Sequence, residues 1–151
     1  MTTAQKFIDL PPQQAADALY AAHRHDAAWL DAFAQSLDRR RAAASLEFVF
    51  GVWDLSQSEA ARLFGVSRQA VSKWLVQGAP PDRAVAVADL AAATDLLVHY
   101  LKRDRIPAVV RRPIPARDDV SLVDLIGKGD TASVLDICRA MFGFERASGE
   151  S

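Results

Sequence analysis

Residues of types that hydrogen-bond to nucleic acid lie close together in the middle of this chain. Arg binds guanine and Gln binds adenine through paired hydrogen bonds in the major groove, each worth about 1–3 kcal/mol of discrimination. Ser and Lys reach phosphates, which position a protein without specifying a sequence. Gln57 lies upstream, at the start of a predicted helix, where it could contact a phosphate. The candidate DNA-binding residues are Gln57, Ser67, Arg68, Gln69, Ser72 and Lys73.

The surrounding residues predict the two helices that would position this group. Ser56 followed by Glu59 predicts a capping box at a helix start. Gly65 lies where that helix must end, and Ser67 is suited to cap the next one. The predicted inward-facing residues are Ala60, Leu63, Phe64, Val71, Trp74 and Leu75. The stretch therefore predicts a helix-turn-helix, with an ordinary helical hairpin with a polar face as the alternative.

Apolar residues at helical spacing occupy most of the remaining chain, and no strand pattern is found. Further helices are predicted at residues 13–22, 26–37, 38–53, 82–103, 121–127 and 130–142. We expect an all-α helical bundle with a small C-terminal helical domain. The expected divisions are an N-terminal helical arm at 1–37, the helix-turn-helix domain at 38–81 and a C-terminal helical domain at 82–151.

Composition limits the possible functions of this chain. It has 151 residues, half of them hydrophobic, and a formal net charge of −1. DNA binding would therefore depend on a local basic surface. With Cys138 alone, no intramolecular disulfide can form. No signal peptide or membrane span is predicted, so we expect an intracellular protein.

No group of residues predicts catalysis. The histidines His23, His25 and His99 are too scattered for a metal site. The segment Gly127-Lys-Gly129 resembles part of a phosphate loop but lacks the flanking strand, and Cys138 lies on an apolar helix face. We expect no enzyme activity, no catalytic residue, no metal and no cofactor.

Residues 104–120 interrupt the helical pattern with three prolines and are rich in arginine. Two interpretations stay open: a solvated loop, or a surface that contacts phosphate or an acidic partner. Arg111 and Arg112 are the candidate partner-binding residues of this segment.

Two regions together resemble a known family. Residues 55–78 are similar to the Xre-type helix-turn-helix, and residues 109–142 are similar to the C-terminal domain of Xre/MbcA/ParS-type antitoxins. The matching segments are Val109-Val-Arg-Arg-Pro-Ile-Pro-Ala116, Ser121-Leu-Val-Asp-Leu-Ile-Gly-Lys-Gly-Asp130 and Thr131-Ala-Ser-Val-Leu-Asp-Ile-Cys-Arg-Ala-Met141. The chain departs from the family pattern at Val109-Val110, at Asp118-Asp119 and at Ser121, where the family usually has Trp-Leu, Gly-Gly and Pro.

This resemblance implies a cytoplasmic antitoxin of a bacterial cell that neutralises a RES-domain toxin, an enzyme that consumes NAD, and represses its own promoter. Residues 82–151 would then form the toxin-binding or dimerisation domain. In such antitoxins the last helix and the tail cover the toxin's active-site mouth. The residues at that location here are Phe142, Phe144, Glu145 and Arg146.

Two other functions stay open from the sequence. One is a stand-alone, phage-repressor-like transcriptional regulator with a C-terminal dimerisation domain. The other is a helical adaptor that binds only protein, suggested by the acidic residues Asp54 and Glu59 near the candidate DNA-binding residues. The predicted helix 82–103 is apolar on two sides, which makes it a candidate interface for a homodimer.

Overall fold

Eight α-helices account for most of the computed structural model, which describes residues 9–143. They are α1 (Pro12–His23), α2 (Ala27–Trp53), α3 (Gln57–Phe64), α4 (Arg68–Gln77), α5 (Ala84–Tyr100), α6 (Ile106–Arg111), α7 (Leu122–Gly127) and α8 (Thr131–Met141). Short 3-10 turns occupy Pro81–Arg83, Arg103–Arg105 and Pro115–Arg117. Residues 9–143 contain no β-strand, only one isolated β-bridge between Ile114 and Val120. The predicted all-α fold is therefore confirmed.

The chain divides into two units, Met1–Asp38 and Arg39–Ser151. In the first unit, α1 begins at Pro12, where the missing N–H of proline costs no hydrogen bond. The rings of His23, Trp29 and Phe33 form a stack, with 3.4 Å between the first two centroids and 5.3 Å between the second two. None of residues 9–38 is buried, so these residues contribute little to a hydrophobic core.

The second unit has one continuous apolar core. The inner face of α2 meets the inner faces of α3 and α4 there, and α5 packs along α8. The short helices α6 and α7 lie against each other, and α7 also contacts α3. The helix pair α3 and α4 is therefore held by the C-terminal helices as well as by α2.

A polar connection crosses this core. The indole N–H of Trp53 donates a 2.9 Å hydrogen bond to Thr94 Oγ1, and the Thr94 hydroxyl donates a 2.6 Å bond to the Leu90 carbonyl. Both Trp53 and Thr94 are fully buried. Because a buried donor without a partner is costly, this chain of bonds fixes the end of α2 against the middle of α5.

Several local predictions were wrong. The segments 26–37 and 38–53 form one helix, α2, because the charged run Asp38-Arg-Arg-Arg41 contains no helix breaker. The long helix predicted at 82–103 spans only Ala84–Tyr100, and Asp82, which the sequence predicts as its cap, lies in the preceding 3-10 turn without capping it. The apolar spacing also predicts a buried Met141 on α8, but Met141 is exposed.

The C-terminal helices begin as predicted. Ser121 and Asp124 form a reciprocal capping box at α7, and the Asp130 carboxylate accepts from the Ser133 backbone N–H at α8. The hydrogen bond from the Ser121 backbone N–H is the main reason that the pKa of Asp124 lies below its ordinary value. Burial raises the pKa of the Cys138 thiol to about 12, which keeps it neutral at physiological pH.

Within residues 9–143, none of the helices has both the length and the hydropathy needed to span a membrane. The same residues contain no group of three or more His, Cys, Asp or Glu placed to hold a metal ion.

Candidate nucleic-acid interface

Helix α3 begins and ends, and helix α4 begins, at the residues predicted from the sequence. Ser56 Oγ accepts a hydrogen bond from the Glu59 backbone N–H, and Ser67 Oγ accepts one from the Ala70 N–H, both at 3.1 Å. Gly65 ends α3 in the left-handed conformation, with φ of 67°, which an L-residue with a side chain rarely adopts. The structure therefore has two short helices, α3 and α4, joined by a tight turn at the position of the predicted helix-turn-helix.

Trp74 fixes the rotation of α4. Its side chain is only 6% exposed and meets Phe64 edge to face, with 5.8 Å between the ring centroids. The Arg83 guanidinium lies 5.6 Å from the Trp74 ring centroid and also donates to the Phe64 carbonyl. Val71 is fully buried beside it. With these side chains inside, the opposite side of α4 must face solvent.

That opposite side carries Arg68, Gln69, Ser72 and Lys73, all exposed. We call these four residues the recognition face. Within residues 9–143, neither Arg68 nor Lys73 forms an ion pair. The side chains of Arg68, Gln69 and Ser72 line a shallow hollow of about 380 Å³ together with Gln57 of α3. The structure thus brings five of the six candidate DNA-binding residues together on one surface.

Ser67 and Ser72 are committed to contacts within the chain. Ser67 caps α4 and therefore lies at the N-terminal end of this helix, directly before the recognition face. The Ser72 hydroxyl donates a 2.6 Å hydrogen bond to Gln57 Oε1, which joins α4 to the start of α3. This bond leaves the Gln57 amide nitrogen as a donor for a ligand on the same side.

Glu59 does not complete the predicted capping box. Its carboxylate instead forms a 3.3 Å ion pair with Arg111, 52 positions along the chain. Its negative charge is therefore paired within the protein, which weakens the argument for an adaptor that cannot bind DNA.

Arg111 has a structural role that the sequence analysis missed. One terminal nitrogen donates to the carbonyls of Trp53 and Pro107 at 2.7 and 2.9 Å. The other donates to the Asp54 carbonyl at 2.8 Å and to Glu59. Arg111 thereby satisfies carbonyls at the C-terminal end of α2 and joins α6 to α3. The sequence shows only that Arg111 carries a positive charge, and a charge alone does not identify the groups that it contacts.

Arg112, the neighbouring candidate partner-binding residue, is exposed and lies beside an apolar cleft of about 270 Å³. The cleft is also lined by Ile114, Leu122, Ile137 and Met141, from the proline-rich segment and from α7 and α8. Phe142 follows α8 and is half-buried, with its ring stacked on Tyr100 at 4.5 Å. The other three candidate residues, Phe144, Glu145 and Arg146, lie outside the described residues.

The comparisons with known proteins give one structural likeness. Neither a protein-family model nor a curated protein matches the sequence. The structure is similar to one chain in the crystal structure of the M. tuberculosis MbcT-MbcA toxin-antitoxin complex, with a TM-score of 0.54 and 23% sequence identity. The match covers 66% of this chain and 91% of that chain. At this identity the likeness shows that the two chains share a fold, in agreement with the fold that the family resemblance implied.

Proposed function

We propose that this protein binds double-stranded DNA through the recognition face and represses its own promoter. The observation that carries this proposal is the exposure of Arg68 and Gln69 on a capped second helix whose rotation is fixed by Trp74. Their guanidinium and amide groups have the donor and acceptor patterns that distinguish guanine and adenine. Lys73 and the Gln57 amide then contact phosphates on either side of the bases.

We further propose that the protein is an antitoxin whose C-terminal part binds and neutralises a RES-type, NAD-consuming toxin in the bacterial cytoplasm. Two features support this: the fold shared with a chain of a toxin-antitoxin complex, and an apolar cleft with Arg112 at its edge. An aromatic anchor with charges at the rim is a common arrangement for a tight protein interface. Phe142 and Phe144 supply the aromatic groups, and Arg112, Glu145 and Arg146 supply the charges.

A homodimer is part of this proposal, because a helix-turn-helix dimer binds two half-sites of one operator. Helix α5 supports this proposal, because its side chains Val85, Ala88 and Tyr100 are exposed, Val85 at 75%. Such side chains are suited to contact a second copy of the chain.

The DNA-binding half is tested by the affinity for the protein's own upstream region. We expect Arg68→Ala and Gln69→Ala each to weaken binding to the preferred site by about 5- to 150-fold, corresponding to 1–3 kcal/mol, with little effect on unrelated DNA. Lys73→Ala should weaken binding to all sequences alike and lower the slope of log K against log salt by about 1. Fluorescence anisotropy over a range of salt concentrations measures both quantities. Absence of binding by the wild-type protein at low salt would contradict the proposal.

The toxin-binding half is tested by truncation. When the neighbouring gene is expressed alone, we expect growth to stop, and co-expression of the full chain should restore it. A chain lacking residues 143–151 should fail to restore growth and still bind DNA with nearly wild-type affinity, because the recognition face is distant in sequence from the tail. Equal rescue by the truncated chain would exclude a role for the tail.

A stand-alone regulator remains the second candidate function, and one observation favours it. Arg111, a candidate toxin contact, is occupied by four hydrogen bonds within the chain. A neighbouring gene whose expression leaves growth unaffected would favour this regulator over the antitoxin.

A further inference from the structure

We propose that Arg39 joins Lys73 in contacting the phosphate backbone at the edge of the recognition face opposite to Gln57. This inference rests on the proposed DNA-binding function and extends its surface to a residue on α2. Arg39 belongs to the run Arg39-Arg-Arg41, which the sequence analysis did not assign to any site.

A cleft of about 670 Å³ separates Arg39 from the C-terminal half of α4. Lys73 and Gln77 line it from α4, and Ala70, Trp74 and the Gly78–Pro81 segment form the rest of its wall. The two cationic side chains therefore belong to one concave surface. A phosphate group is small enough to enter this cleft and has the charge that both side chains favour.

Gly78 holds this arrangement in place. Its φ of 83° and ψ of 160° belong to a region that is essentially restricted to glycine. A Cβ atom at this position would lie 2.9 Å from Ala42 Cβ and 3.1 Å from the Arg39 carbonyl oxygen. The turn after α4 thus lies directly against the turn of α2 that begins at Arg39, so the position of Arg39 relative to the recognition face is fixed by backbone contact.

The charges of Arg39 and Lys73 are available for a ligand. Both side chains are exposed, and within residues 9–143 neither one forms an ion pair or a side-chain hydrogen bond. Arg41, two residues along α2, does not line the cleft. At 100° per residue it lies on the other side of the helix, which makes it a matched control.

The geometry of a DNA groove explains why a contact is needed here. A helix in the major groove lies between two sugar–phosphate backbones, one on each side. Gln57 lies beside Arg68, Gln69 and Ser72, at one edge of the recognition face. Arg39 lies beside Lys73 and Gln77, at the other edge. The two positions together place a donor near each backbone, with Gln69 between them.

The test compares Arg39→Gln with Arg41→Gln in the full chain, using the protein's own upstream DNA and an unrelated duplex. We expect Arg39→Gln to weaken binding to both duplexes about 3- to 10-fold near physiological salt and to lower the salt slope by about 1. Arg41→Gln should leave the slope unchanged. Unfolding curves of both variants should match the wild type, since both residues are exposed.

Each other outcome has a distinct meaning. An unchanged slope for Arg39→Gln, or equal losses in the two variants, would overturn the phosphate contact while the proposed DNA binding still stood. A wild-type protein that binds neither duplex would overturn the proposed DNA-binding function and this inference together.

Discussion

Replacing Trp74 by alanine is expected to lower the free energy of unfolding by about 3–5 kcal/mol. The indole is 6% exposed and fills the space between α3, α4 and the 3-10 turn at Pro81–Arg83. Its removal leaves a cavity beside Phe64 and removes the aromatic surface over which the Arg83 guanidinium lies. A domain of this size is stable by only about 5–15 kcal/mol, so the loss is a large part of the total.

The same helix supplies the control for this substitution. Val76 is 73% exposed, and Val76→Ala should change the stability by less than about 0.5 kcal/mol. Urea denaturation followed by circular dichroism measures both changes, with the midpoint expected to fall at an unchanged slope. If Trp74→Ala cost less than about 1 kcal/mol, the rotation assigned to α4, and with it the exposure of the recognition face, would be wrong.

Helices α3 and α4 and the turn between them could be predicted from sequence because their determinants are local. Ser56, Gly65 and Ser67 act on backbone groups within three or four residues of themselves. The apolar spacing of Val71 and Trp74 fixes which side of α4 is buried. Helical periodicity and capping thus determine the backbone and the recognition face without reference to the rest of the chain.

Contacts between distant parts of the chain could not be predicted in this way. Ser56 and Glu59 have the capping-box spacing, but the Glu59 carboxylate binds Arg111 instead. Whether a side-chain carboxylate binds a local backbone N–H or a distant guanidinium depends on the fold. The local sequence pattern does not contain that information. The same limit applies to Arg39, because its proximity to Lys73 depends on the close approach at Gly78.

Replacing Arg111 by methionine is expected to lower the free energy of unfolding by about 2–3 kcal/mol. Methionine keeps much of the aliphatic stem but removes the donors that reach Trp53, Asp54 and Glu59. The carbonyls at the end of α2 then lose their charged donor, and Glu59 loses its counter-charge. Arg111→Lys should recover only part of the loss, since a single ammonium cannot reproduce the planar fork that reaches separate acceptors.

Arg112→Met is the matched control, because it removes the same charge one residue away. Arg112 is exposed, and no hydrogen bond or ion pair joins its side chain to residues 9–143. Its replacement should therefore leave the urea midpoint nearly unchanged, and any loss of toxin neutralisation by Arg112→Met would reflect the partner surface itself. If Arg111→Met were as stable as Arg112→Met, the contacts of Arg111 would not hold α6 to α3. The prediction from sequence that Arg111 binds a partner would then be favoured.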